Sequence, residues 1–551
     1  MKGAKIFILA LILINIETIL GGPCGADKLK ISPKPLDLKV NKAIPITKTT
    51  ADGYTPIKIG YDFTTLKRPS SMTTSTYSLV KSLLQQTRVE FSKFVQVQHT
   101  NFDLSGRADD IMELCELDTI GAGYADFLVN NDVIIFPQFD SDLGSNVLAA
   151  AAPCIVTNSN RPYGGVLYIN TNLNFNKGNT NQYLKNILLH EITHILVFHP
   201  YFFTALKLNQ TEGSNSYIIS PKAVAKAREH FDCSSITRIP LENQGGTGSV
   251  GSHWESRYML GDYMISTDYP DQAISDITLG LFEDSGFYKV NYYSGGLFKF
   301  GKGKGCEFFN KDCIKNEKAT FEEFCDTANA AMCSSSRTLK SSCYLTTYTS
   351  SIPTAYQYFS DPRKGGFPAA DYCPVPYQAH SSSTYFSNHC QIGSSSLSSE
   401  YNEKIGFDSF CFMSSILPSS STTSTSQIPI CYEVRCDADN NQFTVTIGSS
   451  EIACPTDGGT VSAPSGFTGS IVCPKYSDIC LSDGSVCNEM FSCFTNLATH
   501  DNYNYQVTYG DYEGEALEDD DNIRPVRTSF SYNIKDNFAL FMAICLLIYL
   551  N

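Results

Sequence analysis

Between Tyr77 and Val97 apolar residues recur at helical intervals, with Leu79, Val80, Leu83, Leu84, Val89, Phe91, Phe94 and Val95 marking one face. A long amphipathic helix is predicted there. The runs Asp132-Val133-Ile134-Ile135-Phe136 and Val166-Leu167-Tyr168-Ile169-Asn170 lack alternation and read as buried strands. Helical spacing returns from Tyr183 to Phe198, where Leu184, Ile187, Leu188, Ile192, Ile195 and Leu196 share a face. Asn179-Thr180-Asn181 supplies a polar start able to cap it. Strands preceding a helix in this order imply an α+β fold with a twisted sheet beside that helix.

Beyond Cys306 the pattern weakens. Serine tracts (Ser381-Ser382-Ser383, Ser394-Ser395-Ser396, Ser419 to Ser426) alternate with cysteines, which predicts loop-rich, disulfide-stapled structure. Residues 414–427 read as a linker or an O-glycosylated loop. The cysteines from Cys431 to Cys493 predict a small disulfide-dense module in place of a hydrophobic core. At 551 residues the chain exceeds what one core supports, so several units are expected. The expected divisions are 1–22, a signal peptide; 23–54, a pro-segment or arm rich in Lys and Pro; 55–200 and 201–305, two halves of a catalytic region; 306–430, a C-terminal domain; 431–512, the cysteine-rich module; and 513–551, a polar spacer with a hydrophobic anchor signal.

The two ends carry targeting signals. Basic Lys2 and Lys5 precede an apolar run from Ile6 to about Leu20, the layout of a cleaved secretory signal, and a signal anchor would need a longer run. Phe538 to Leu550 is a short apolar tail with Ser529, Ser531 or Asn533 at the distance a GPI-attachment signal needs. A short membrane helix is the competing reading, and either places the protein on the outer face of a membrane. A formal charge of −15 without basic clusters excludes nucleic acid as a partner. Twenty cysteines in a secreted chain imply disulfides; setting aside Cys24 and Cys545 leaves enough for nine bridges. Asn209-Gln210-Thr211 is a glycosylation sequon on a surface loop.

Chemistry concentrates in His190-Glu191-Ile192-Thr193-His194. Residues four apart share a helix face, so both imidazoles can reach one zinc ion at about 2.0–2.1 Å, while Glu191 sits roughly 100° away, beside a metal-activated water. A catalytic zinc usually has three protein ligands. His199 is nearest in sequence but falls off the ligand face and precedes Pro200, so it reads as a surface or supporting histidine. His253 follows the glycine-rich stretch Gln244-Gly245-Gly246-Thr247-Gly248-Ser249-Val250-Gly251-Ser252, whose glycines let backbone curl beneath a metal.

With Gly261-Asp262-Tyr263-Met264 after it, this arrangement resembles the leishmanolysin family of surface metalloproteases, a branch of the metzincins. The resemblance extends through Phe231-Asp232-Cys233-Ser234-Ser235, Leu241-Glu242-Asn243, Leu281-Phe282-Glu283-Asp284-Ser285-Gly286-Phe287-Tyr288 and Gly303-Lys304-Gly305-Cys306. It covers roughly residues 55–310 firmly and the remainder loosely. It implies His190, His194 and His253 as ligands of one zinc ion, Glu191 as general base, and Met264 as the floor of the site. The implied activity is endopeptidase cleavage of protein or peptide substrates, with a role in adhesion. A binding protein on the same scaffold, or a coat protein with structural metal, are the alternatives.

Two features stand apart from the family. Val197 replaces a glycine three residues past the second histidine; a left-handed conformation there would cost a β-branched residue about 1–3 kcal/mol. Otherwise the helix continues to Phe198 and breaks at His199-Pro200. Cys24 is either an incidental cysteine or a temporary zinc ligand of a latent form, although Gly22-Pro23-Cys24-Gly25 lacks the family's usual pro-segment motif.

Overall fold

The computed structural model describes most of residues 53–486, together with Cys24, Leu29, residues 31–36, Lys39–Val40 and the strand Ala516–Glu518. The predicted signal peptide, the apolar tail, Asn179, Gly245 to Thr247, His380, His500, Cys487, Cys493 and Cys545 lie outside the described residues. Among the described residues no helix is long and apolar enough to cross a membrane.

A five-stranded mixed sheet organises the N-terminal half. Its strands are β1 (Lys34–Pro35), β2 (Ile59–Tyr61), β3 (Val133–Asp140), β4 (Ala149–Val156) and β5 (Pro162–Asn170), in the spatial order β1-β4-β5-β3-β2. Only the β4–β5 pair is antiparallel. Successive side chains of a strand face opposite ways, and here both faces are covered. Ile135, Leu167 and Ile169 pack into a core shared with helices α1 (Thr74–Phe94) and α2 (Thr180–Leu196). Ile134, Phe136, Val166 and Tyr168 pack on the other side with Ile111, Met112 and Leu117. The Cys115–Cys154 disulfide ties that layer to β4. Both predicted strands and both predicted helices are present with shifted ends. Helix α1 stops at Phe94 because Val95, Gln96, Val97 and Gln98 alternate with period two and form a strand between Tyr54–Pro56 and Tyr288–Val290. Val89, read as part of the apolar face, is 43% exposed.

Helices α4 (Pro221–Phe231) and α5 (Asp276–Asp284) follow the short α3 (Pro200–Ala205). They pack closely, since a Cβ on Gly280 would lie 2.8 Å from the Ala223 nitrogen. The Asp284 carboxylate accepts the amides of Lys222 and Ala223, satisfying the open donors of α4.

The C-terminal region corrects two expectations. A six-stranded antiparallel sheet runs from Ser409–Ser414 to Ser470–Cys473, and Phe410, Phe412, Tyr432, Phe443 and Val445 form a buried core around it. Bridges therefore supplement a core where a core was not expected. Alternation of apolar residues in Gln442–Ile447, with Phe443, Val445 and Ile447 buried, is the signal the cysteine density obscured. Residues 414–427 do not link domains. They join two neighbouring strands of this sheet, and buried Ile416 and Leu417 anchor them. Eight disulfides are described, all but Cys115–Cys154 in the chain beyond residue 232.

Gly165 sets the height of α2 above the sheet. A Cβ there would meet Ile195 side-chain carbons at 2.4–2.9 Å. Gly165→Ala is expected to lift the helix and lower stability by about 1–3 kcal/mol in denaturant unfolding, an overpacking cost. Unchanged stability would show that the contact is slack.

Candidate metal centre

Helix α2 brings His190, Glu191 and His194 to the interior, all three buried, as is His253. The three imidazoles converge. His194 Nε2 lies 3.0 Å from His190 Nε2, and His190 Nε2 lies 3.2 Å from His253 Nε2. Each ring spends its other nitrogen on a carbonyl: His190 Nδ1 on Tyr263 O at 2.6 Å, His194 Nδ1 on Phe198 O at 2.6 Å, and His253 Nδ1 on Ser249 O at 3.1 Å. A carbonyl only accepts, so each Nδ1 carries the proton and each Nε2 presents a bare lone pair.

Burial reinforces that state. It pulls His190 down to about 4, against the opposing Tyr263 hydrogen bond, and drives His194 and His253 well below the usual histidine range. The rings are neutral at physiological pH. Three inward lone pairs repel one another unless a cation sits among them. A tetrahedral zinc with bonds of about 2.0–2.1 Å separates its nitrogens by about 3.3 Å, close to the spacing found. The donor set and the pinned second nitrogens fit zinc.

A fourth donor joins the cluster. Cys24, buried and in no disulfide, places Sγ 3.2 Å from His194 Nε2 and 3.4 Å from Glu191 Oε2. The four ligand atoms lie within 4.8 Å of one another. The sulfur thus stands between the His194 ring and the Glu191 carboxylate. Cys24 is held there by a parallel bridge to Ala149 of β4, the strand that β1 also flanks.

Support for the third histidine comes from the turn after it. The Trp254 amide donates to Met264 O at 3.0 Å, placing Met264 against the His253 segment. Asp262 accepts the Met264 amide at 2.7 Å, the Ser275 amide at 3.2 Å and the Thr278 hydroxyl at 2.8 Å. Trp254 Nε1 donates to that same hydroxyl. Tyr263 ties the turn to α2 twice, through its carbonyl to His190 and its hydroxyl to Thr193 at 2.9 Å.

The leishmanolysin family model matches residues 72–486. The chain belongs to the leishmanolysin family. A leishmanolysin homolog of Crithidia fasciculata is 31% identical over 380 residues, covering 65% of this chain and 56% of that protein. A Leishmania chagasi leishmanolysin is 28% identical over 429 residues, covering 73% and 68%. A leishmanolysin-like peptidase of Drosophila pseudoobscura pseudoobscura is 28% identical over 300 residues, covering 48% and 44%. The chain thus spans a little over half the length of the first of these relatives. The family is one of zinc metalloproteases; the three histidines of the cluster lie within the matched residues, and Cys24 lies before them.

Against that family pattern, the expected strain at Val197 does not arise. Val197 is fully buried and is not among the residues with positive φ. The amides of Val197 and Phe198 both bond Thr193 O at 2.9 Å, and the chain turns out at His199, which caps α3 ahead of Pro200. The exit is wider than a glycine turn, and its Phe198 carbonyl is the group that orients His194. His199 Nδ1 accepts the Tyr201 amide, a capping role. His99, His230 and His389 bond Asp132, Phe300 O and the Gln391 amide, away from the cluster. Asp262, Tyr263 and Thr193 escaped the sequence reading. The adjacency of Asp262 and Tyr263 to Met264 was the only available signal.

Val197→Gly relieves no left-handed strain here, so it is expected to cost about 2–3 kcal/mol through lost burial and added chain entropy. Stabilisation in thermal unfolding would contradict this account of the helix exit.

Proposed function

We propose that the chain is a zinc-dependent endopeptidase of the cell surface, held latent by its own N-terminal arm. The observation that carries this reading is the convergence of three bare Nε2 atoms beside a buried carboxylate. His190, His194 and His253 would hold one zinc ion, with Met264 as the floor. When bound, the ion supplies Lewis-acid activation of a water and of the scissile carbonyl. Glu191 has the carboxylate's part: Oε2 takes the proton of the attacking water and hands it to the leaving amine, so one group acts as base and then acid. A binding-only scaffold has no use for a carboxylate at that place, which favours catalysis over the adhesin alternative.

The arm blocks two things. Cys24 fills the place beside His194 and Glu191, and β1 covers the outer edge of β4, Lys34 facing Ile155 and Pro35 facing Val156. Once the arm leaves, β4 becomes an open edge whose amides and carbonyls can pair with an extended polypeptide. Protein substrates in extended conformation follow from that edge. The bridges suit an oxidising, extracellular location, and GPI anchoring at the C-terminus completes the proposal.

Cys24→Ser is expected to raise kcat/KM on casein roughly tenfold, equivalent to about 1.4 kcal/mol of released inhibition. An equal rate in both proteins would remove the latency proposal and leave the protease reading intact. In the Cys24→Ser background, Glu191→Ala should retain stoichiometric zinc by elemental analysis yet lose about 10²–10⁴-fold in rate, and chelation should abolish cleavage. Casein cleavage that survives both treatments refutes the metalloprotease reading.

A further inference from the structure

A second charged cavity, of about 360 Å³, lies between the loop around Lys299 to Lys304, the segment from Glu322 to Arg337 and the edge of the C-terminal sheet. It shares no residue with the metal cluster. One of its cations is spent, because Lys304 pairs with Glu322 and lies 3.4 Å from Glu323. Four more line it: Lys299, Lys302, Arg337 and Lys475. None of the four forms an ion pair with a carboxylate among the described residues. Of the remaining acids, Asp457 is exposed, and Asp478 accepts the Lys475 amide at 3.2 Å. The lining carries five cationic side chains against four carboxylates, a net positive place in a chain of formal charge −15.

Two details show that the cavity is built. Arg337 takes a left-handed backbone, φ 64°, a conformation that costs a non-glycine residue energy and persists only where its surroundings enforce it. The enforcement is visible: its amide bonds Ser334 O and its carbonyl accepts the Cys411 amide at 2.7 Å. The resulting guanidinium is half-buried, within electrostatic reach of Glu322, Asp478 and Glu323 but hydrogen-bonded to none of them. Lys299 is tethered by a single bond to Ser477 O at 2.6 Å, and burial together with neighbouring Lys302 holds it down to about 7. The Cys333–Cys411 and Cys454–Cys473 bridges stiffen the walls, so little ordering remains to be done on binding.

We propose that this cavity binds a tetrahedral oxyanion of the sulfate or phosphate type, with the Arg337 fork as principal donor and Lys299, Lys302 and Lys475 as surrounding charges. The group could arrive as a sulfate ester or as a phosphate monoester, and inorganic sulfate and inorganic phosphate serve as separate probes. Calorimetric titration of the full chain at constant ionic strength, with chloride as control, should show one saturable site. The tighter of the two ions identifies the ester class. Arg337→Gln should weaken binding at least tenfold. Arg337→Gly removes the charge while relieving the left-handed backbone; it should unfold at the same or a higher temperature and lose binding as fully. Lys475→Gln, at an exposed position, should weaken binding by a smaller factor, and Asp478→Asn should tighten it. Failure of both ions to bind above the chloride background, or binding indifferent to both Arg337 substitutions, overturns the proposal.

Discussion

Everything at the candidate centre depends on where three imidazole protons are. Tyr263 O, Phe198 O and Ser249 O each claim one, and what is left is three lone pairs directed at one point in a buried space. Such an arrangement is unfavourable on its own, because neutral acceptors face one another with only a weak thiol donor beside His194. A cation of the right radius would relieve that arrangement, and its binding would be coupled to folding of the site. The three carbonyls come from three pieces of chain: the methionine turn, the exit of α2 and the loop carrying the third ligand. A metal held there would fasten segments that lie more than sixty residues apart.

That coupling needs a stiff frame, and it is built of apolar contacts outside and a short polar chain within. The sheet fixes α2 through the close approach at Gly165, and α2 fixes two rings. The third ring rides on Trp254, whose indole reaches Thr278 of α5, whose hydroxyl reaches Asp262, which holds the turn below. Asp262 is buried, and burial raises its carboxyl to about 6 against the pull of its hydrogen bonds. It is a costly residue to keep in a core, and its three donors explain what the cost secures: a single conformation for the turn.

The sequence revealed those parts whose physics is local. Period 3.6 in Leu184 to Leu196 marked α2, and the i, i+4 histidines on it needed no tertiary information. His253 was legible only because its glycine-rich approach and the methionine after it resembled a family pattern. Asp262, Tyr263 and Thr193 were not legible, since a backbone carbonyl has no signature and a buried aspartate looks like any other. Val197 left two exits open, a left-handed turn or a helix carried on to His199-Pro200, and the chain takes a course close to the second. Its cost was inferred from a glycine conformation that this chain does not adopt, because Thr193 O accepts two amides and lets the helix open out. In the C-terminal region, cysteine spacing drew attention from the alternation at Phe443, Val445 and Ile447, and a true core went unpredicted.

The arm does more than occupy space. Its sulfur lies 3.4 Å from Glu191 Oε2 and 3.2 Å from His194 Nε2, inside a site with almost no access to water. The thiol donates toward Glu191 Oε2, so in the proposed latent form the oxygen that would take a proton is already engaged. Because the same arm pairs with the edge of β4 through Lys34 and Pro35, its proposed departure would change two conditions together: an open edge for substrate and an open place beside His194 and Glu191. On the proposed account, latency is a property of one segment's registry on the sheet, with Cys24 set at Ala149 and Lys34 at Ile155 of the same strand.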